Sequence, residues 1–240
     1  MSDPNIVTPD PVSLGEARRA ITRMMVAYQS ALDEVTTRLV ILQREFERIQ
    51  SYNPIEHVYS RLKSPESILE KVRQRGGEPT IESLRAVITD IAGVRVICAF
   101  TSDVYRVQHM LCDQADITLC NIQDYIASPK PNGYRSLHLQ IEVPVFLSTE
   151  VLSVPVEVQI RTIAMDFWAT LERKIAYKYM GTIPEKLRDD LTAAALEAAH
   201  LDDTMEDLND QIRGGEEDQS DSAAPLLEQF LSYLPLAEQL

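Results

Sequence analysis

Between Arg61 and Arg75 five cations (Arg61, Lys63, Lys71, Arg73 and Arg75) stand against two carboxylates, Glu66 and Glu70, a local charge of +3 in a chain whose formal net charge is −14. Guanidinium and ammonium groups hold phosphate through charge-assisted hydrogen bonds, so this cluster is a candidate anion site. Wound as a helix after Ser64, the stretch brings Ser67, Lys71, Gln74 and Arg75 to one sector and Ile68, Leu69 and Val72 to the other. One face buries and the other offers cations and a hydroxyl, although a basic helix face also serves as plain solvated surface. The chain has 8 glycines, none spaced as G-x-x-x-x-G-K or G-x-G-x-x-G, so any phosphate is held by side chains and not by a backbone cradle.

A second set of residues comes from alternation. In Tyr134–Val143, Leu137, Leu139, Ile141 and Val143 point to a core and leave Tyr134, Ser136, His138, Gln140 and Glu142 on the other face. In Val154–Arg161, Val154, Val156, Val158 and Ile160 point inward and Glu157, Gln159 and Arg161 outward. Two such strands side by side share a polar face with a carboxylate, an imidazole, an aromatic ring and a guanidinium, beside a Pro/Asn/Gly loop that bears Lys130. Asp90 precedes the strand at 93–100. Paired with Glu157 it would supply the one or two hard carboxylates that Mg2+ takes when substrate phosphates and water complete its shell.

The elements that must position these groups read as follows. Ser13–Ile49 carries apolar residues in unbroken steps of four and three, which predicts one long amphipathic helix, stopped before Pro54. A short strand over 55–63 precedes a helix capped by Ser64 with Pro65 in its first turn. A loop at Gly76–Pro79, a short helix at 81–88 and a helix at 102–114 follow. Strands are expected at 93–100, 117–124, 134–143 and 154–161, with a hairpin near 147–152, and Thr162 caps a helix to Tyr179. Strands interleaved with helices predict an α+β fold, a mixed sheet covered by helices.

After Pro184 a seven-residue repeat (Leu187, Leu191, Ala194, Ala198, Leu201, Met205, Leu208, Ile212) predicts a second long helix. It either packs on the body of its own chain or forms a helix-to-helix seam between subunits. Residues 214–224 are polar, and 226–236 are apolar enough to dock.

Composition sets outer bounds. The chain has 240 residues, 45% of them hydrophobic, enough for a sizeable core. Twelve acidic against three basic residues between Glu185 and Asp218 account for most of the net charge, and an acidic exterior argues against nucleic acid as the main partner. Met1–Pro11 carries acidic and proline residues where a secretory leader needs a basic start and an apolar run, and no apolar stretch approaches a membrane span. The expectation is a cytoplasmic protein with no membrane partner. Cys98, Cys112 and Cys120 lack metal or disulfide spacing and read as reduced core residues.

Taken in order, Arg61-x-Lys63 with Ser67-Ile68 and Lys71, Asp90-Ile91-Ala92-Gly93-Val94-Arg95, Asp124-Tyr125-Ile126, Pro129-Lys130, Asn132-Gly133-Tyr134-Arg135-Ser136-Leu137-His138, Val156-Glu157-Val158-Gln159-Ile160-Arg161-Thr162 and Phe167-Trp168-Ala169 through Tyr177-Lys178 resemble the synthetase domain of the RelA/SpoT family. The match runs from about Ile55 to Tyr179 and leaves only flanking helices outside it, as in the stand-alone small alarmone synthetases. None of the 4 histidines is followed by Asp, unlike the hydrolase of the long enzymes. The resemblance implies a nucleotidyltransferase-like sheet at residues 55–180, preceded by a helical segment at 1–54. An oligomerising helix at 181–213 and a polar linker with a short apolar tail at 214–240 would follow.

The same resemblance implies transfer of diphosphate from ATP to the 3′-hydroxyl of GDP or GTP, with GMP a further acceptor, in the stringent response. Arg61 and Arg95 would sandwich the adenine. Lys63, Ser67 and Lys71 would hold the donor phosphates, with Arg75 in place of the arginine that relatives carry where this chain has Gln74. Asp90 and Glu157 would bind Mg2+, and Glu157 would take the acceptor proton. Tyr134 would stack on guanine, and Lys130 and His138 would contact the acceptor's phosphates or ribose. Gln123 stands where some relatives are basic. Asp166 stands where some have Asn, and its carboxylate could read guanine. A homo-oligomer is expected, a tetramer on the resemblance. The alternatives are a degenerate module that senses nucleotide or alarmone without making it, against which the retention of both Asp90 and Glu157 speaks, and an RNA-associated regulator.

Overall fold

The computed structural model describes residues 11–49, 52–74, 76, 90–179 and 183–216. The expected helix at 81–88 and the apolar tail lie outside the described residues. Among the described residues five strands form one sheet: β1 (His57–Leu62), β2 (Ala92–Cys98), β3 (Thr118–Asp124), β4 (Leu137–Phe146) and β5 (Val151–Thr162). Their order is β1-β2-β5-β4-β3. β2 and β5 run parallel and the other neighbours antiparallel, so the sheet is mixed, as alternating strands and helices predict.

The alternation in β4 and β5 produces two unlike faces. Leu137, Leu139, Ile141, Val143, Val154, Val156, Val158 and Ile160 are buried together with Val94, Val96 and Cys98 of β2. Helix α1 (Pro11–Ile49) lies across this face and inserts Met24, Ala27, Tyr28, Ala31, Leu32, Val35 and Leu39, whose three- and four-residue spacing is the stripe seen in the sequence. Helix α3 (Thr101–Cys112) adds Val104, Val107 and Leu111 to the same core. Arg38 of α1 pairs with Asp116, fixing the long helix to the turn before β3.

Helix α2 (Pro65–Gln74) follows β1, and the Ser64 hydroxyl accepts from the Ser67 amide at 3.3 Å, the cap expected there. Ile68 and Val72 are buried, which turns Lys71 toward the sheet edge. Helix α4 (Ile163–Lys178) starts at Thr162, whose hydroxyl accepts from the Met165 amide at 3.1 Å. α4 borders the polar face of the sheet. Helix α5 (Glu185–Glu216) packs on α4 through Leu191, whose carbonyl accepts from the Trp168 indole, and through Ala195 and Ala198.

Three expectations need correction. Tyr134 does not begin β4; the strand starts at Leu137, because Gly133 has φ of +85° and the Asn132 side chain accepts from the Tyr134 amide, making a turn. β4 and β5 run on to Phe146 and from Val151, so the hairpin turn is only Leu147–Glu150, closed by the Leu147 amide donating to the Glu150 carbonyl. Cys98 is buried, but Cys120 is exposed, because β3 is an edge strand, so not every cysteine is a core residue.

The row of α5 that faces the body is Ala195, Asp202 and Asn209, one residue off the apolar repeat. Asp202 is buried there because it accepts from the Thr162 hydroxyl at 2.9 Å. The apolar row divides. Leu191 and Ala198 lie against α4, while Leu201, Met205, Leu208 and Ile212 remain exposed.

Candidate active site

Residues opposite one another in a sheet share a face, so the strand register lays out the polar face as rows. One row reads Tyr59, Arg95, Gln159, His138 and Gln123 across all five strands. The next reads Arg61, Gly93, Glu157, Gln140 and Asn121. Glu157 and Arg61 are therefore two strand spacings apart, about 10 Å, with only glycine between them. Together Tyr59, Arg61, Gly93, Arg95, Glu157 and Gln159 line a cleft of about 310 Å³, closed on one side by Arg173 of α4.

At the β1 end the cations converge on Asp90. Lys63 Nζ donates to Asp90 Oδ2 at 2.5 Å, Lys71 Nζ to Oδ1 at 2.7 Å, and Arg61 lies 3.7 Å from Oδ2. Burial alone would raise the Asp90 carboxyl, but the two lysines outweigh it and hold the group down at about 2. Lys63 is lowered from its ordinary value, because burial and the neighbouring Lys71 exceed the pull of Asp90. Arg61, 3.7 Å from Asp90, also lines the cleft with Glu157, so Asp90 borders that cleft, and its charge acts to raise the Glu157 carboxyl.

Burial likewise acts to raise Glu157, but His138 and Gln159 more than offset it, and the net shift is downward. Its Oε2 accepts from Gln159 Nε2 at 3.0 Å, and Oε1 faces His138 Nδ1 at 3.5 Å. The Tyr134 phenol lies 2.7 Å from His138 Nε2 and accepts from Arg161 Nη2 at 2.6 Å. The phenol thus links Arg161 to the His138 ring, whose other nitrogen faces Glu157.

The β4 end is aromatic. Tyr125, Tyr134 and His138 meet edge to face, and Lys130 sits over both tyrosine rings, 4.4 Å from one centroid and 4.9 Å from the other. The turn that delivers Lys130 is tight, with the Gly133 amide donating to the Lys130 carbonyl and the Lys130 amide to that of Tyr134. Cations and a carboxylate at one end, a base candidate in the middle and a ring with a cation at the other end suit a phosphorylated donor facing an aromatic acceptor.

Residues 60–182 match the family described as the region found in RelA / SpoT proteins. The chain belongs to the RelA/SpoT family. Among relatives, GTP pyrophosphokinase YwaC of Bacillus subtilis is 47% identical over 188 residues, covering 78% of this chain and 90% of that one. The structure of small alarmone synthetase 1 from Bacillus subtilis bound to its product pppGpp is 37% identical, with a TM-score of 0.75 over 81% of this chain and 99% of that one. The same synthetase bound to AMPCPP is 35% identical, with a TM-score of 0.69 over 82% and 99%. The mixed α+β sheet expected from the RelA/SpoT motifs is the observed one, and these relatives are small synthetases without a hydrolase domain.

Of the residues singled out from sequence, Arg61, Lys63, Lys71, Asp90, Arg95, Glu157, Lys130, Tyr134 and His138 all reach this face. Ser67 is exposed one turn before Lys71, with its hydroxyl 3.2 Å from that of Ser64. Arg75 lies outside the described residues. Asp166 lies at this face too, and its Oδ1 pairs with Arg95 and Arg161. Sequence reasoning gave no role to Tyr59, Tyr125 or Arg173. Tyr59 was readable, since period-2 spacing puts it on the same face as Arg61, whereas Arg173 reaches the cleft only through the placement of α4.

Among the described residues no three of His, Cys, Asp and Glu cluster as a ready-made metal cage. Two carboxylates at one site fit Mg2+, which takes one or two protein carboxylates and fills its octahedron with substrate phosphate and water. No described helix is long and apolar enough to cross a membrane.

Proposed function

We propose that this chain is a pyrophosphokinase that moves the β,γ-diphosphate of ATP to the 3′-hydroxyl of GDP or GTP, making the alarmone (p)ppGpp in the cytoplasm. The observation that carries this reading is the row Arg61, Gly93, Glu157 beside Asp90, with the Tyr134 corner across from it. Arg61 and Arg95 stack on the adenine, guanidinium planes being suited to flat rings. Lys63, Lys71 and Arg75 neutralise the triphosphate, and the Ser67 hydroxyl helps hold it. Tyr134 stacks on the guanine, and Lys130 and His138 hold the acceptor's ribose or phosphates.

In the transfer the 3′-oxygen forms a bond to the β-phosphorus as the bond from that phosphorus to the α,β-bridging oxygen breaks, and AMP leaves with that oxygen. Glu157 accepts the 3′-hydroxyl proton. A carboxylate at about pKa 4.3 is a weak base for an alcohol, so positioning and charge neutralisation carry most of the catalysis. Asp90 and Glu157 would hold Mg2+, which when bound supplies positive charge against the developing phosphate charge. Glu157, held below its ordinary range, is ionised at neutral pH and available for both tasks.

The exposed row Leu201, Met205, Leu208 and Ile212 on α5 supports a homo-oligomer built through that helix. The deciding experiment for the activity incubates purified protein with ATP, Mg2+ and GMP, GDP or GTP in turn and separates the products. A 3′-diphosphorylated guanosine nucleotide and AMP in equal amounts support the reading; nucleotide binding without product overturns it.

A further inference from the structure

One carboxylate oxygen holds two arginines that serve different halves of the cleft. Asp166 Oδ1 lies 3.2 Å from Arg95 Nη1 and 3.1 Å from Arg161 Nη1. Arg95 belongs to the donor half, with its guanidinium 5.1 Å from the Tyr59 ring centroid. Arg161 belongs to the acceptor half: its guanidinium lies 5.2 Å from the Tyr134 centroid and its Nη2 donates to the Tyr134 phenol.

Arg161 is 1% exposed, and its other donors go to neutral oxygens, Ser136 Oγ at 3.2 Å and Gln159 Oε1 at 2.7 Å. Among the described residues Asp166 is the only carboxylate paired with it. A buried guanidinium needs such a partner, since leaving it uncompensated costs far more than the pair contributes.

The guanidinium is a rigid planar fork, so a shift at Nη1 turns Nη2 with it. Nη2 carries the Tyr134 phenol, the phenol carries His138 Nε2, and His138 Nδ1 faces Glu157. Asp166 is thus the joint between Arg95 and a polar chain that ends on Glu157. Arg95 still has a free hand: its Nε is buried with no hydrogen-bond partner among the described residues.

We propose that Asp166 is a positioning residue that couples the two nucleotide sites by clamping Arg95 and Arg161 to a single oxygen. The proposal rests on the assignment of donor and acceptor made above. A purine stacked on Arg95 fixes the plane of that guanidinium, which fixes the carboxylate it shares, which fixes Arg161 and the ring of Tyr134. The second nucleotide then meets a site whose ordering is already done, and binds more tightly. An amide at 166 could accept from one arginine but could not balance the buried charge of the other.

The test uses the full-length chain with Mg2+, GDP and α,β-methylene ATP, whose α,β bridge cannot be cleaved. Calorimetry gives the Kd of each nucleotide alone and in the presence of the other. The expected result is mutual tightening by one common factor, on the order of 5- to 20-fold, because coupling between two ligands is reciprocal. In Asp166→Asn and Asp166→Ala the factor falls to within about twofold of unity, and Asp166→Glu, which keeps the charge, restores more than about threefold.

Where melting shows that a position-166 variant does not fold, Tyr134→Phe cuts the same chain farther along with every charge in place, and lowers the factor at least threefold. An unchanged factor in Asp166→Asn, or in Tyr134→Phe, overturns the proposal. So does an Asp166→Ala protein that loses its preference for GDP over ADP while keeping the coupling, since Asp166 would then read the base. A wild-type chain that binds both nucleotides with no mutual effect overturns the coupling alone; one that binds neither removes the functional reading as well.

Discussion

Arg61 and Glu157 face each other across Gly93, where the sheet carries a hydrogen atom in place of a side chain. A Cβ built on Gly93 would lie 3.5 Å from Arg61 Nε, ordinary contact, and Gly93 has no left-handed φ that an alanine would strain. Gly93→Ala should therefore fold with unchanged or slightly higher stability, since alanine reduces the freedom of the unfolded chain by up to about 1 kcal/mol. The added methyl occupies the floor of the cleft. The KM for ATP should rise about five- to tenfold, roughly 1 kcal/mol of lost binding, with the acceptor KM little changed. Steady-state kinetics on both substrates check this, and an unaltered ATP KM would place the donor elsewhere.

Glu157→Gln keeps the size of the side chain and its partner Gln159 but removes the proposed base. Transfer should fall by about 10²- to 10⁴-fold, the range for loss of a positioned general base, while ATP affinity stays within about twofold. Because Glu157 is held below its ordinary value of 4.5, the acidic limb of kcat/KM that it governs should lie below that pH. Single-turnover rates across pH 4 to 8 test both statements; a limb near neutrality would assign the base to another group.

Much of this site was legible before the structure. Alternation alone assigned Glu157 and His138 to one face, because a strand offers only two directions and the core claimed one of them. The helix sector of α2 gave Lys71 for the same reason. Arg161 shows the limit: alternation put it on the polar face, yet it is buried, because the first turn of α4 covers that end of the sheet with Asp166. The buried row of α5 escaped notice since Asp202 and Asn209 are polar, and a search for apolar periodicity passes over them. Their burial follows from partners distant in sequence, such as the Thr162 hydroxyl.

Asp90 provides a dependence of stability on pH. Its carboxyl sits at about 2 in the folded chain against 3.8 when unperturbed, so the unfolded chain takes up its proton first as pH falls. The stabilisation is fully present above about pH 4 and is lost as pH drops toward 2, and a shift of this size amounts to about 2 kcal/mol. Asp90→Asn should be less stable than wild type at pH 7 by about that amount, with the gap narrowing below about pH 4. Urea titrations from pH 7 to 3 measure it, and a gap that stays constant would remove Asp90 from the ion-paired role. The same variant should need at least tenfold more Mg2+ for half-maximal transfer, and chelation should stop the wild-type reaction.

Leu201 and Leu208 lie two turns apart on the open row of α5, 53% and 47% exposed. Aspartate at both positions costs the isolated chain little, since exposed substitutions fall within about 0.5 kcal/mol. It should nevertheless convert the assembly to a smaller species in light scattering, and an unchanged mass would mean that this row does not join subunits.

Gly133 ties α5 to the Tyr134 end of the cleft. Its φ is +85°, and a Cβ there would fall 2.4 Å from the Cβ of Ala195, inside any permitted contact. Gly133→Ala must therefore adopt a left-handed backbone, at about 1–2 kcal/mol, and also push the helix away, at about 1–3 kcal/mol. The displaced turn carries Lys130 on one side and Tyr134 on the other, so the acceptor KM should rise while the ATP KM holds. Ala195→Gly removes the clash but leaves the backbone strain, and it costs about 1 kcal/mol by itself in a helix. In the double variant the two costs should therefore sum to at least 1 kcal/mol more than the measured loss, a coupling that a double-mutant cycle isolates. Strict additivity would mean that α5 does not rest on the loop, and that the acceptor turn is held by its own hydrogen bonds alone.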